Sequence, residues 1–359
     1  MTTLQEIEWL DPLVEGQRNR DLERYVKQEA GVVPPHTRFF GACPWIMRAD
    51  IDLDVSCANV NDLAQLIYLT VSRDNSCRFC YGATRMFMRM GGMHDPQIEK
   101  LEQDVETARL EPRVNLALDF ARRVSRSNPP PGVTEKKALI GAGYSEAAIR
   151  ELALYAGVVV FHNRCATLLA LPPRLAERVS RTPLPRLLRF RFRKILERLT
   201  SQAPQEAPSG SHHTGPYGHL TETTLDGLPH ARVLRKMLDE AWASPHLPSR
   251  TKAMVFAVIA RGLGAAAAER EAWRLLAAQG LVEDQIEEIL SNLASPALDC
   301  GEARILPYVR ETIWYQPAPV QRRGRAMREA LSDAQLLETV GTAALANMVC
   351  RVSLTLDEP

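Results

Sequence analysis

The sequence predicts an all-α protein, and three observations predict it. Apolar residues recur at helical spacing along most of the chain. No stretch alternates apolar and polar residues convincingly with period two, as a half-buried strand would. The second half of the chain repeats the helical pattern of the first.

The elements follow in order. Residues 61–73 place Leu63, Leu66, Ile67 and Thr70 on one helical face. Asn75 or Ser76 can cap a second helix that begins at Cys77 and stops at Gly91–Gly92. Asp95–Pro96 opens a third, and residues 113–127 form a fourth that ends before Pro129–Pro131. "VTEKKALIGAG" and "SEAAIRELALYAG" read as two short helices with glycine stops, and "VVVFHNRCATLLAL" closes the unit before Pro172–Pro173. Upstream, "FFGACPWIMRADIDL" (39–53) carries Cys43, Trp45 and Met47, expected in ordinary core packing or against a pocket.

Residues 174–199 hold nine Lys/Arg against two Glu and form a basic amphipathic stretch. The expectation is a connecting helix with a solvated face, with contact to a membrane surface as the alternative. Residues 201–229 are rich in Pro, Gly, Ser and Thr and are expected to be a mobile linker, with His212, His213 and His219 in solvent.

Beyond the linker, Arg73 pairs with Arg261, Gly92 with Gly280 and "QIE" 97–99 with 285–287, at a constant offset of 188. "YSEAAIRELALYAGVVVFHNRC" (144–165) matches "LSDAQLLETVGTAALANMVC" (331–350) if small deletions are allowed, which pairs Asn163 with Asn347. A period this long is a duplicated domain, and two stacked copies mimic a homodimer made covalent. Cys77 and Cys80 fall opposite Ala265 and Ala268, so the second copy carries neither sulfur.

Composition bounds the function. A net charge of +1 argues against binding dominated by nucleic-acid or membrane electrostatics. The N-terminus lacks the pattern of a secretory signal, and the apolar run 152–161 is too short to cross a bilayer, so a reducing cytoplasm is expected. Seven cysteines in irregular spacing fit no disulfide framework. Cys43, Cys57, Cys165, Cys300 and Cys350 are expected as small packing residues.

Cys77 and Cys80 are different. At positions i and i+3 they share one face at a helix start, near unpaired backbone N–H groups that stabilise thiolate. Two thiols so placed can cycle between dithiol and disulfide, and Arg73 or Arg78 could help hold the anion. A zinc site would need two more ligands, and only Cys57, His94 and His162 are candidates, so neither metal nor cofactor is expected.

"LTVSRDNSCRFCYGATRMFMRMGG", with the downstream "P-x-x-VT", "G-YSEAAIRELA" and "HNR" segments, resembles the AhpD-like alkylhydroperoxidases of the carboxymuconolactone decarboxylase superfamily. The resemblance implies two tandem AhpD-like helical bundles: an N-terminal extension (1–59), a CxxC domain (60–173), the basic helix and linker (174–229) and a degenerate second domain (230–359). It implies assembly through helical faces, Cys77 and Cys80 as the redox pair, and a thiol reductant or small-molecule substrate as partner. It also implies a glutamate twelve residues before the first cysteine and a histidine four after the second. Gln65 and Thr84 occupy those positions, and neither titrates near neutral pH. Tyr68, Tyr81 and His162 are the candidate replacements.

The expected function is therefore a thiol–disulfide oxidoreductase or peroxidase-like enzyme. The alternatives are a diverged enzyme acting on a carbon substrate and a non-catalytic helical scaffold.

Overall fold

The computed structural model describes residues 11–56, 62–173, 215–223, 225, 228 and 230–356, and among these every regular element is helical. The first half contains α1 (Arg20–Ala30), a 3-10 turn (Pro35–Phe40), α2 (Pro44–Ser56), α3 (Asp62–Asp74), α4 (Arg78–Gly91), α5 (Asp95–Glu106), α6 (Pro112–Arg126), α7 (Val133–Gly141) and α8 (Glu146–Leu168). The second contains α9 (Gly218–Thr223), α10 (Ala231–Ala243), α11 (Ser249–Leu263), α12 (Ala266–Ala278), α13 (Glu283–Asn292), α14 (Cys300–Trp314), α15 (Pro317–Ala326) and α16 (Asp333–Leu356). Cys57, the basic stretch 174–199, His212 and His213 lie outside the described residues.

Helix starts follow local chemistry. Ser145 caps α8 by accepting from the Ala148 N–H, and Asp299 caps α14 in a reciprocal box with Glu302. Proline opens α6 and α15, where its missing N–H costs nothing.

The repeat is visible in the helices themselves. α6 and α14 stand 188 residues apart at both ends, and α2 and α10 stand 187 apart at both ends. The correspondence therefore runs from α2–α8 to α10–α16 and reaches further upstream than the sequence match that pairs Arg73 with Arg261. α8 packs along α16 more extensively than any other helix pair, and α2 packs on α10. Each of these contacts joins a helix to its own counterpart, as about a two-fold axis. The largest apolar core takes Leu154 and Phe161 from one copy and Val340 and Ala344 from the other.

Three expectations change. Gly157 does not stop a helix: α8 runs 23 residues straight through it. A Cβ there would lie 2.5 Å from Val352 Cγ2, so the glycine serves the close approach of α8 to α16. The end of the expected linker is packed rather than mobile. Tyr217 is 1% exposed, its ring centroid lies 4.3 Å from that of Phe256, and Leu220, Leu225 and Leu228 are buried with it. The two long helices start at Glu146 and Asp333, which sets a register of 187 with no deletion. In that register Arg164, not Asn163, has the identical counterpart, Arg351.

α16 is, among the described helices, the one long and apolar enough to cross a membrane, and 89% of its most apolar window is buried inside the protein. It is the central core helix of the second copy.

Candidate functional site

The loop between α3 and α4 builds the dithiol. The Cys77 N–H donates to Ser72 O at 2.8 Å, and Ser76 takes a left-handed φ of 53° to turn the chain. The loop is pinned from two sides. Asn75 Nδ2 donates to Ser125 Oγ, and Ser72 Oγ donates to Asn163 Oδ1, both at 3.1 Å. α4 begins at Arg78, so neither Asn75 nor Ser76 is its cap. Cys77 itself occupies the N-cap, and its Sγ accepts the Cys80 N–H at 3.3 Å. This puts the Cys77 sulfur where the free backbone N–H groups of the helix solvate negative charge.

In the second copy Ala265 is the cap of α12, with φ −81° and ψ 79° against −81° and 88° at Cys77. The backbone device is retained there without the sulfur.

Both sulfurs are buried, Cys77 at 1% exposure and Cys80 at 8%. Burial pushes the Cys80 thiol well above its ordinary range, and its hydrogen bond to Cys77 pushes in the same direction, as do the charges of Cys77, Asp50 and Cys165. Cys165 of α8 is raised as well, first by burial and then by Asp50 and Cys77. These mutual effects couple a third thiol and a carboxylate electrostatically to the pair.

The carboxylate comes from α2. Asp50 Oδ1 lies 3.2 Å from His162 Nε2 and Asp54 Oδ1 lies 3.9 Å from it, although the ring nitrogen makes no aligned hydrogen bond. Burial lifts Asp50 to about 7. Burial also lowers His162, against an opposing pull from Asp54. His36, from the 3-10 turn, is pulled down to about 4 by burial and then by His162. Its ring meets Phe79 edge-on at 5.1 Å, and the Tyr68 ring lies 5.9 Å from that of His162.

The second copy supplies Tyr315. Its hydroxyl donates to Asn163 O at 2.9 Å, and the Arg164 guanidinium lies over its ring at 4.7 Å. Burial pushes the phenol up, and Cys77 does so next.

The positions predicted from sequence divide sharply. His162 stands with the acids. Gln65 Oε1 is buried without a hydrogen-bond partner, and the Thr84 hydroxyl is committed to Cys80 O at 2.9 Å. Tyr81 points away, bonded to Glu102 Oε1 at 2.5 Å. Arg73 pairs with Glu106 on the surface and so does not serve the thiols. Cys43, Trp45 and Met47 are core residues, whereas Cys300 is exposed rather than packed.

Sequence reasoning missed Asp50, Asp54, Cys165 and Tyr315. The one available signal was "DIDLD", which sets Asp50 and Asp54 one helical turn apart on a face otherwise facing the core. Among the described residues no three His, Cys, Asp or Glu side chains gather as metal ligands. No family model, no curated protein and no solved structure matches the chain.

Proposed function

We propose that the chain is a dithiol–disulfide oxidoreductase of AhpD-like type that reduces a hydroperoxide at Cys77 and Cys80. The observation that carries this reading is the division of labour within the pair. Cys77 is a helix N-cap accepting an N–H, while Cys80 is held as a protonated thiol beside it. In the reaction, Cys77 thiolate attacks the terminal peroxide oxygen, the O–O bond breaks, and the alkoxide leaves as alcohol after taking a proton. The Cys77 sulfenic acid then condenses with Cys80, losing water and forming the disulfide. Two thiols supply the two electrons, and a thiol reductant restores them through exchange. The helical faces would also mediate self-assembly, and the cytoplasm is the compartment in which such a pair is returned to dithiol.

Mass-resolved iodoacetamide labelling of the native protein across pH, followed by peroxide titration, tests this. The expected result is that peroxide converts Cys77 and Cys80 to an intramolecular disulfide, with Cys77 the faster to alkylate. A second reading, a scaffold with inert thiols, is favoured by the 1% exposure of Cys77. Labelling that appears only after denaturation, with no disulfide formed by peroxide, would select it.

A further inference from the structure

Reduction of a peroxide needs a proton for the departing alkoxide and a place for the proton that Cys80 gives up on condensation. Neither Gln65 nor Thr84 can fill these roles. The amide does not titrate near neutral pH, and the hydroxyl is bound to a carbonyl. Titratable groups arrive from α2 and α8, and Asp50 of α2 acts electrostatically on Cys80. On the reading that Cys77 and Cys80 reduce a hydroperoxide, we propose that Asp50 and His162 form the proton relay of the dithiol centre, with Asp54 as its outlet to solvent.

The geometry supports each part. Asp50 Oδ1 and His162 Nε2 are 3.2 Å apart, within reach of proton transfer once the ring turns into line. Asp54 is half-exposed at 48%, while Asp50 is 21% and His162 11% exposed, so the three grade from interior to surface. Asp50 lies against His162 and acts electrostatically on Cys80, Cys165 and Asp54. His162 in turn faces His36 and the Tyr68 ring. An Asp50 carboxyl lifted by burial to about 7 is present in both forms at neutral pH, as a group that gives and takes a proton within one cycle must be.

An internal control strengthens the argument. In the repeat register, Asp50 corresponds to Met237, Asp54 to Ala241 and His162 to Val349, just as Cys77 and Cys80 correspond to Ala265 and Ala268. The second copy forms the same helices with all five positions apolar. The bundle therefore does not require the acids or the imidazole for folding, and they occur in the copy that carries the thiols. Holding the Asp50 carboxylate and the His162 imidazole largely out of water without need is costly, so their presence asks for a chemical reason.

The test uses the full-length, fully reduced chain and hydrogen peroxide in single-turnover experiments from pH 5.5 to 9, reading the Cys77–Cys80 disulfide by mass spectrometry. For the unaltered protein the rate should bend near pH 7. Asp50→Asn should slow disulfide formation at pH 7 by about tenfold or more and remove that bend. Asp50→Glu should restore part of the rate, and His162→Gln should reproduce the Asn defect. Thermal midpoints identify a variant that fails to fold, in which case the His162 variant carries the comparison. Unaltered protein that forms the disulfide, with Asp50→Asn and His162→Gln matching it in rate and pH profile, would overturn the relay alone. Unaltered protein that forms no disulfide would overturn the hydroperoxide reading, and the relay with it.

Discussion

Arg164 and Arg351 cross between the two copies in opposite directions, each binding the carbonyl end of a helix in the other copy. Arg164 Nε donates to Thr312 O at 3.1 Å and its Nη2 to Ile313 O at 3.2 Å. Arg351 Nε reaches Ser125 O at 2.8 Å, and its Nη1 holds Asn347 Oδ1 at 2.5 Å. Both side chains are fully buried with no carboxylate paired to either among the described residues, and burial lowers both guanidinium pKa values. The negative ends of α6 and α14 take the place of counter-ions.

Arg351→Met therefore tests how the copies are joined. Removing a charge from the interior is favourable in itself, but the variant strands the Ser125 carbonyl and leaves Ile313 O with Arg164 as its one arginine donor. Hydrogen bonds from a charged donor contribute about 1.5–3 kcal/mol each, so the loss should win and stability should fall by about 3 kcal/mol. Urea unfolding should show a lower midpoint with unchanged slope. An unchanged midpoint would mean that water replaces the arginine.

Lys252 and Glu338 form a buried ion pair at 2.8 Å, with side-chain exposures of 2% and 0%. The lysine also donates to Ala241 O and Trp242 O, and Glu338 accepts the Leu247 N–H. Lys252→Met should cost about 3–5 kcal/mol, because it leaves a buried carboxylate alone. Lys252→Met combined with Glu338→Gln should recover part of the loss. A double variant no better than the single one would show that the pair is not coupled.

The pH dependence of stability carries two opposite signatures. His36 falls to about 4 in the folded state against an ordinary 6.5, so the unfolded chain binds the proton more readily. Its contribution is complete above about 6.5 and is lost as pH falls toward 4. Asp50 rises from 3.8 to about 7, so its contribution is complete below about 3.8 and is lost as pH rises toward 7. His36→Gln should flatten the acid side of the unfolding-midpoint profile. Asp50→Asn should stabilise the protein at pH 8 relative to the unaltered chain and leave pH 3.5 nearly unaffected. Parallel profiles for all three proteins would refute both assignments.

Cys77→Ala separates the cap from the chemistry. The Ala265 cap shows that the backbone adopts this turn without a side-chain acceptor, so the substitution should cost no more than about 1 kcal/mol. Disulfide formation should nevertheless be abolished. A thermal midpoint lowered by much more than this implies, about 4–8 °C per kcal/mol for a small domain and less for a larger chain, would assign Cys77 a packing role instead.

The sequence by itself determined the helical class and the approximate bounds of the helices between residues 61 and 141, and it raised the repeat and the Cys77–Cys80 spacing as expectations. These depend on short-range regularities: apolar spacing, caps, glycine and proline stops, and a constant offset. It misplaced what depends on distant neighbours. Gly157 reads as a stop because its partner Val352 lies far along the chain, and the packing of Tyr217 depends on Phe256. The candidate site divides in the same way. Cys77 and Cys80 are a local pattern, whereas Asp50 and Asp54 join them only when α2 folds onto α8, and Tyr315 arrives from the other copy. Only the tertiary structure decided these meetings, because which residues share a low-dielectric interior is set by helix packing and not by sequence spacing.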